Sequence, residues 1–167
     1  MSSDGSAGPE APVSSDLFRR ACGRFATGVA VASVLDERGA PRGLTVSSFT
    51  SVSLAPPLIL VCLGHAVTEI EQFQAARYFG INILGEEQQP LSERFARQKH
   101  DRFAGVEWHP GETGVPLLEG VLATMECAVR QRVTAGDHHI FIGEMVHARI
   151  GEGAPLIHHA SRYRRLA

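Results

Sequence analysis

Between Gly43 and Thr68 the chain carries no Asp, Glu, Lys or Arg. So long a stretch without charge belongs in a core, against a partner surface or within a bilayer. The bilayer is excluded by what the stretch contains. Six hydroxyl residues fall between Thr45 and Ser53, and the pair Pro56-Pro57 follows. Its uninterrupted apolar run, Leu58 to Leu63, is far shorter than the roughly 20 residues a membrane-spanning helix needs. That run reads as a buried strand. In the hydroxyl-rich half, Leu44, Val46, Phe49, Val52 and Leu54 are placed to face a core. Thr45, Ser47, Ser48, Thr50, Ser51 and Ser53 then form an array of neutral donors and acceptors. Such an array suits a planar, polar, uncharged ring, and it equally describes a solvated edge strand; composition leaves both readings open.

The flanking sequence predicts the elements around this stretch. Residues Met1 to Ser15 are mostly Ser, Gly, Pro and Ala and are expected to form a disordered tail, leaving 16–167 as one domain. Asp16 is the expected N-cap of a helix in which Leu17, Ala21 and Phe25 recur beside Phe18 and Cys22, with Arg19, Arg20 and Arg24 outward and Gly28 as its end. Strands are expected at Val29–Leu35, from Arg42 onward, at Leu58–Leu63 and at Tyr78–Leu84. Helices are expected at Thr68–Ala76 and Glu87–Arg97. From Ala123 to Val133 apolar residues alternate with Glu126, Arg130 and Arg132, the period of a half-buried strand. Gly136-Asp137 turns the chain into a long strand, Ile140–Ile150, and Pro155–His159 adds a short one. About six strands, two or three short helices and no regular βαβ alternation predict a mainly β, closed Greek-key barrel. No GxGxxG follows a strand, so a dinucleotide would not be held in the Rossmann manner.

Charge and rare residues narrow the function. A formal net charge of −2 argues against a nucleic-acid binder, and Arg162, Arg164 and Arg165 form only a local basic cluster. Three cysteines, Cys22, Cys62 and Cys127, form no CxxC pair and predict buried, reduced thiols in a cytoplasmic protein. No secretory signal pattern opens the chain. Of eight histidines, four occur as the adjacent pairs His138-His139 and His158-His159. Neighbours on a strand point to opposite faces, so no metal site is expected.

Four stretches occur in an order that resembles one family. They are Phe25-Ala-Thr-Gly-Val29, then Gly43-Leu-Thr-Val-Ser-Ser-Phe-Thr-Ser-Val-Ser-Leu-Ala-Pro-Pro57, then Phe79-Gly-Ile-Asn-Ile-Leu84, and finally Gly136-Asp-His-His-Ile-Phe-Ile-Gly-Glu144. From Leu17 to Leu166 the chain is similar to the short-chain flavin reductases, the reductase components of two-component flavin-dependent monooxygenases. The resemblance implies an FMN-binding split β-barrel that seats flavin at a homodimer interface. It also implies hydride transfer from NADH or NADPH to FMN or FAD, and a monooxygenase that receives the reduced flavin.

By motif position, Thr45, Val46, Ser47 and Ser48 line the flavin, with Ser51, Ser53 and Cys62 beside them. His65 and Thr68 stand at the phosphate end, where relatives carry Lys or Arg; His65 is the nearest candidate here, which points to a flavin that must leave. Asn82, Ser92 and Phe95 complete the pocket, although a structural hydrogen bond accounts for Asn82 equally well. His138 matches a histidine near the nicotinamide, and Tyr163 and Arg162 fall near the dinucleotide. Without the resemblance, Asp137-His138 reads as a plain turn and the terminal arginines as solvated. Two rival readings stand beside the reductase: a flavin-retaining split-barrel enzyme acting on another substrate, and a non-catalytic flavin carrier.

Overall fold

The structure is a computed structural model that describes residues 13–166. The expected tail falls almost wholly outside the described residues. In chain order the elements are α1 (Ser15–Cys22), β1 (Thr27–Gly28), β2 (Ala30–Leu35), β3 (Pro41–Val46), β4 (Thr50–Leu54), β5 (Pro57–Gly64), α2 (Ile70–Ala75) and β6 (Tyr78–Ile83). A single 3-10 turn, Glu86–Gln88, leads into α3 (Gln89–Arg97). There follow β7 (Trp108–Pro110), β8 (Pro116–Leu118), β9 (Ala123–Ala135), β10 (His138–Ile150), β11 (Ile157–His159) and β12 (Arg162–Arg164).

Seven strands form one antiparallel sheet in the order β3-β2-β6-β9-β10-β5-β4. At one end β3 approaches β5 without a backbone ladder. The Ser48 hydroxyl, just past β3, donates to the Cys62 carbonyl on β5 at 2.9 Å and accepts from the Cys62 N–H at 3.0 Å. One side chain therefore closes the seam, and the sheet is a split barrel. The small sheet β1-β11-β12 packs beside it, and β7-β8 form a separate ribbon.

β2 is buried on both faces because the molecule has two cores. Ala30, Ala32 and Val34 point into the barrel with Leu44, Val46, Val61, Leu63, Phe79, Ile81 and Phe141. Phe73 of α2 packs edge-on to Phe141 within that core, with ring centroids 5.9 Å apart. Val31 points the other way, joining Val29, Leu84, Phe95, Phe103, Leu118 and Leu156 under α3. Each large side chain so buried contributes about 1.5–3 kcal/mol. Within the barrel a Cβ at Gly143 would stand 2.6 Å from the Phe79 ring, so only glycine fits there.

Several expectations are corrected. Ser14, not Asp16, caps α1: its Oγ accepts from the Leu17 N–H at 3.3 Å. The helix ends at Cys22 rather than Gly28, because Thr27-Gly28 extend to pair with β11. No residue of α1 is buried within the protomer, so Leu17, Phe18 and Cys22 lie exposed. Of the other thiols only Cys127 is buried as expected. Cys62 is half-buried and Cys127 buried, and burial beside Glu126 pushes the Cys127 thiol up to about 12.

Glu126, expected to face solvent, is buried. Its carboxylate accepts from the Glu112 N–H, the Thr113 N–H and the Thr113 hydroxyl, tying down the turn before β8. Burial alone would raise its pKa, but these hydrogen bonds hold it below the usual carboxylate range. The helix expected from Thr68 starts at Ile70, since Glu69 at its cap turns its carboxylate to Arg102 instead. The described residues hold twelve strands rather than about six. β7, β8 and β12 have three residues each, too few for alternation to show.

Candidate functional site

The closing seam also assembles the site. Ser48 is bonded to Cys62, Cys62 is the register partner of Ile140 on β10, and two residues further along β5 Gly64 faces His138. Strands lie about 4.8 Å apart and rise about 3.3 Å per residue, which places Ser48 and His138 on the order of 10 Å apart. His138 rests against Gly64, where a Cβ would stand 3.6 Å from its Nε2. Its Nδ1–H donates to the Asp137 carboxylate at 2.6 Å, because an ionised carboxylate can only accept. That hydrogen bond and the adjacent imidazole hold Asp137 below its ordinary pKa. The tautomer is thereby set, and Nε2 is left unengaged on a half-exposed ring. Beside it the His65 and His139 rings lie 4.2 Å apart, tilted by 41°, and burial together with the neighbouring His65 pushes the His139 pKa down.

On the Ser47 side a cavity of about 230 Å³ opens between Phe25, Thr27, Ser47, Phe49 and Ile83. Its walls are apolar except for two hydroxyls. Ser47 is exposed, and the Thr27 Oγ1 is buried with no hydrogen-bond partner. An unpartnered buried hydroxyl costs free energy unless a ligand supplies its partner. Flat apolar walls with unspent neutral hydroxyls fit the edge of a flavin ring. Thr27 and Phe49 were not among the expected binding residues. Both lie in motif stretches, but nothing in their spacing separates them from core positions.

Other expected residues lie elsewhere. Val46 is 5% exposed and points into the barrel core, so only its backbone faces outward. Asn82, Ser92 and Phe95 have no accessible surface and cannot touch a ligand as placed. The Asn82 Nδ2 donates to the Val31 carbonyl and the Ser33 Oγ, while its Oδ1 accepts from the Leu118 N–H at 2.8 Å. Phe95 packs edge-on to Phe103 in the outer core. Thr45 donates to the Ser92 carbonyl at 2.7 Å, and the Ser92 Oγ meets the Tyr163 hydroxyl at 2.8 Å. This chain of hydroxyls ties α3 to β3 and β12. Thr45 and Tyr163 are half-buried along it, whereas Arg162 is exposed. Ser51 is exposed and Ser53 half-buried on the edge strand β4, and Thr68 is exposed before α2. Among the described residues no group of three His, Cys, Asp or Glu side chains is placed to hold a metal ion. No helix there is long and apolar enough to cross a membrane.

Residues 22–167 match the flavin reductase-like domain. The chain belongs to that family. A probable flavin reductase of Rhizobium meliloti (strain 1021) is 47% identical over 128 residues, covering 77% of this chain and 41% of that protein. The match thus covers less than half of that relative's length. The reductase component of a 4-nitrophenol 4-monooxygenase/4-nitrocatechol 2-monooxygenase of Rhodococcus opacus is 38% identical over 152 residues, 91% of this chain and 81% of that protein. Among solved structures, the Streptomyces globisporus C-1027 NADH:FAD oxidoreductase SgcE6, in complex with NAD and FAD fragments, superposes with a TM-score of 0.86. It is 38% identical, covering 91% of this chain and 92% of that one. This family member keeps the split barrel, with Ser48 closing its seam.

Proposed function

We propose that this protein passes hydride from NADH or NADPH to FMN or FAD and supplies the reduced flavin to a separate monooxygenase. The observation that carries the reading is the pair of unspent hydroxyls, Thr27 and Ser47, that line one cavity. They stand in a chain whose residues 22–167 belong to the flavin reductase-like family. When bound, flavin supplies the hydride acceptor, and no acid, base or nucleophile is required of the protein. Its own residues position and exclude. Ser47 and Thr27 would offer their hydroxyls to a bound flavin, Ser48 fixes the backbone between them and β5, and Phe49 would wall off water. His138, oriented by Asp137, positions the nicotinamide. From Gly64 to Thr68 no Lys or Arg faces the phosphate end, where His65 and Thr68 stand. Loose phosphate binding suits a reduced flavin that must dissociate before the next turnover.

We propose further that the working form is a cytoplasmic homodimer. A cavity of about 230 Å³ is smaller than the roughly 300–1,000 Å³ of usual ligand pockets, so one protomer forms only part of the seat. Phe25, which lines it, is 78% exposed, and Leu54 and Ile150 are 92% and 90% exposed. Apolar side chains so bare call for a covering surface, which a second copy provides. The test is to add NADH and NADPH separately to purified protein with FMN or FAD under air. Oxidation well above the no-enzyme rate is expected with at least one pair. Sedimentation at equilibrium checks the dimer, and a monomer at micromolar concentration refutes that part.

A further inference from the structure

A second and larger cavity, of about 350 Å³, lies where the start of β3, the residue before α2 and the segment after α3 converge. It shares no lining residue with the cavity beside Ser47. Glu69 and Arg102, both on its wall, form an ion pair whose side chains are only 7% and 11% exposed. The Glu69 Oε1 lies 2.5 Å from the Arg102 Nη1, and the same nitrogen donates to the Gly43 carbonyl at 2.7 Å. The Glu69 Oε2 is buried with no partner. Glu69 stands at the cap of α2, yet its side chain accepts no N–H from that helix. A carboxylate oxygen left unsatisfied in a cavity wall calls for a donor from whatever fills the cavity. Because Arg102 already balances the charge of Glu69, a neutral O–H suits that oxygen better than a second cation.

The rest of the wall says what else the occupant carries. Phe103 and the half-buried Trp108 pack edge to face at 6.0 Å, a surface against which another aromatic ring can lie. Arg42 is committed to Asp36 at 2.8 Å. Lys99 is exposed and has no acidic partner among the described residues, so its ammonium is left for an anion. Asp101, also on the wall and exposed, disfavours a second negative charge on that anion. Burial sets the order: an acceptor in the interior at Glu69, an aromatic wall, and one cation toward solvent. The volume falls within the roughly 300–1,000 Å³ of usual small-molecule pockets.

We propose that this cavity binds a single-ring aromatic monocarboxylate that carries a ring hydroxyl. The hydroxyl donates to the Glu69 Oε2, the ring lies against Trp108 and Phe103, and the carboxylate meets Lys99. The site stands apart from the flavin seat and does not depend on it.

The probe is 4-hydroxybenzoate, titrated calorimetrically into the purified protein. Saturable binding is expected with a Kd below about 1 mM, within reach of a ligand of about ten non-hydrogen atoms. 4-Methoxybenzoate keeps the ring and the charge but cannot donate, and should bind at least about tenfold more weakly. Lys99→Glu should weaken 4-hydroxybenzoate about tenfold and leave the binding of phenol, which has no carboxylate, unchanged. Trp108 is the only tryptophan in the sequence, so a saturable change in its emission at the same concentrations locates the ligand. No saturable heat at millimolar 4-hydroxybenzoate overturns the proposal. So does equal binding of 4-methoxybenzoate, full affinity in Lys99→Glu, or an unchanged Trp108 emission. Displacement of the probe by FMN, FAD or NADH also overturns it, by giving the cavity to a nucleotide. NADH oxidation with FMN, measured alongside, keeps the two readings apart. Turnover without 4-hydroxybenzoate binding removes this proposal alone, whereas binding without turnover removes the reductase reading and leaves this site standing.

Discussion

Asn82 and Ser47 flank β2 from opposite sides, one on β6 and the other just past the end of β3, yet they are spent differently. Asn82 commits its amide to the Val31 carbonyl, the Ser33 hydroxyl and the Leu118 N–H, joining β6, β2 and β8 in the core. Ser47 stands exposed beside Thr27, whose buried hydroxyl has no partner at all. A satisfied polar cluster stabilises the fold and has nothing left for a ligand. An unsatisfied one weakens the empty protein and is repaid on binding. The contrast separates scaffold from site more sharply than residue type or motif position does.

That contrast is broken first at Asn82. Asn82→Leu strands the buried Leu118 N–H and removes the amide donor to the Val31 carbonyl and the Ser33 hydroxyl, and should cost about 3 kcal/mol in urea unfolding, with flavin affinity of the folded protein unchanged. A loss of flavin affinity at full stability would move Asn82 into the site. Glu126→Ala, which strands the Glu112 and Thr113 N–H groups, should cost about 2 kcal/mol. Because the folded pKa of Glu126 lies below its unfolded value, near about 4.3, its contribution is present above that pH. It is lost as pH falls through the folded value. Glu126→Gln should therefore flatten the acid limb of the stability profile, and an unchanged limb would show that other carboxylates set it.

The remaining tests concern the rim. His138→Ala should raise the KM for the nucleotide about tenfold, roughly 1.4 kcal/mol, and the KM for flavin much less. The opposite split would seat His138 against the flavin. Thr27→Val is the smallest change and the sharpest. It removes a hydroxyl without altering shape, so flavin binding should weaken about fivefold while the unfolding midpoint holds or rises. A lower midpoint with unchanged flavin binding would make Thr27 scaffold.

The barrel was legible because alternation over long strands is a strong signal: β9 and β10, at 13 residues each, announce themselves. The Gly64–Thr68 loop was equally plain from what it lacks. Asn82, Ser92 and Phe95 were placed in the pocket because motif position says which segment is near a ligand, not which face of it. Alternation along β6 and α3 cannot distinguish an inner core from an outer one when both are apolar. Glu126 looked solvated for the same reason, since its partners come from a turn 13 and 14 residues away. The helix α1 looked buried because its apolar face is real, but nothing within the protomer covers that face.

The account stands or falls on turnover. Steady-state oxidation of NADH and NADPH, each with FMN and with FAD under air, is predicted to exceed the no-enzyme rate with at least one of the four pairs and to fall in Thr27→Val when flavin is limiting. Background rates with all four pairs would contradict it.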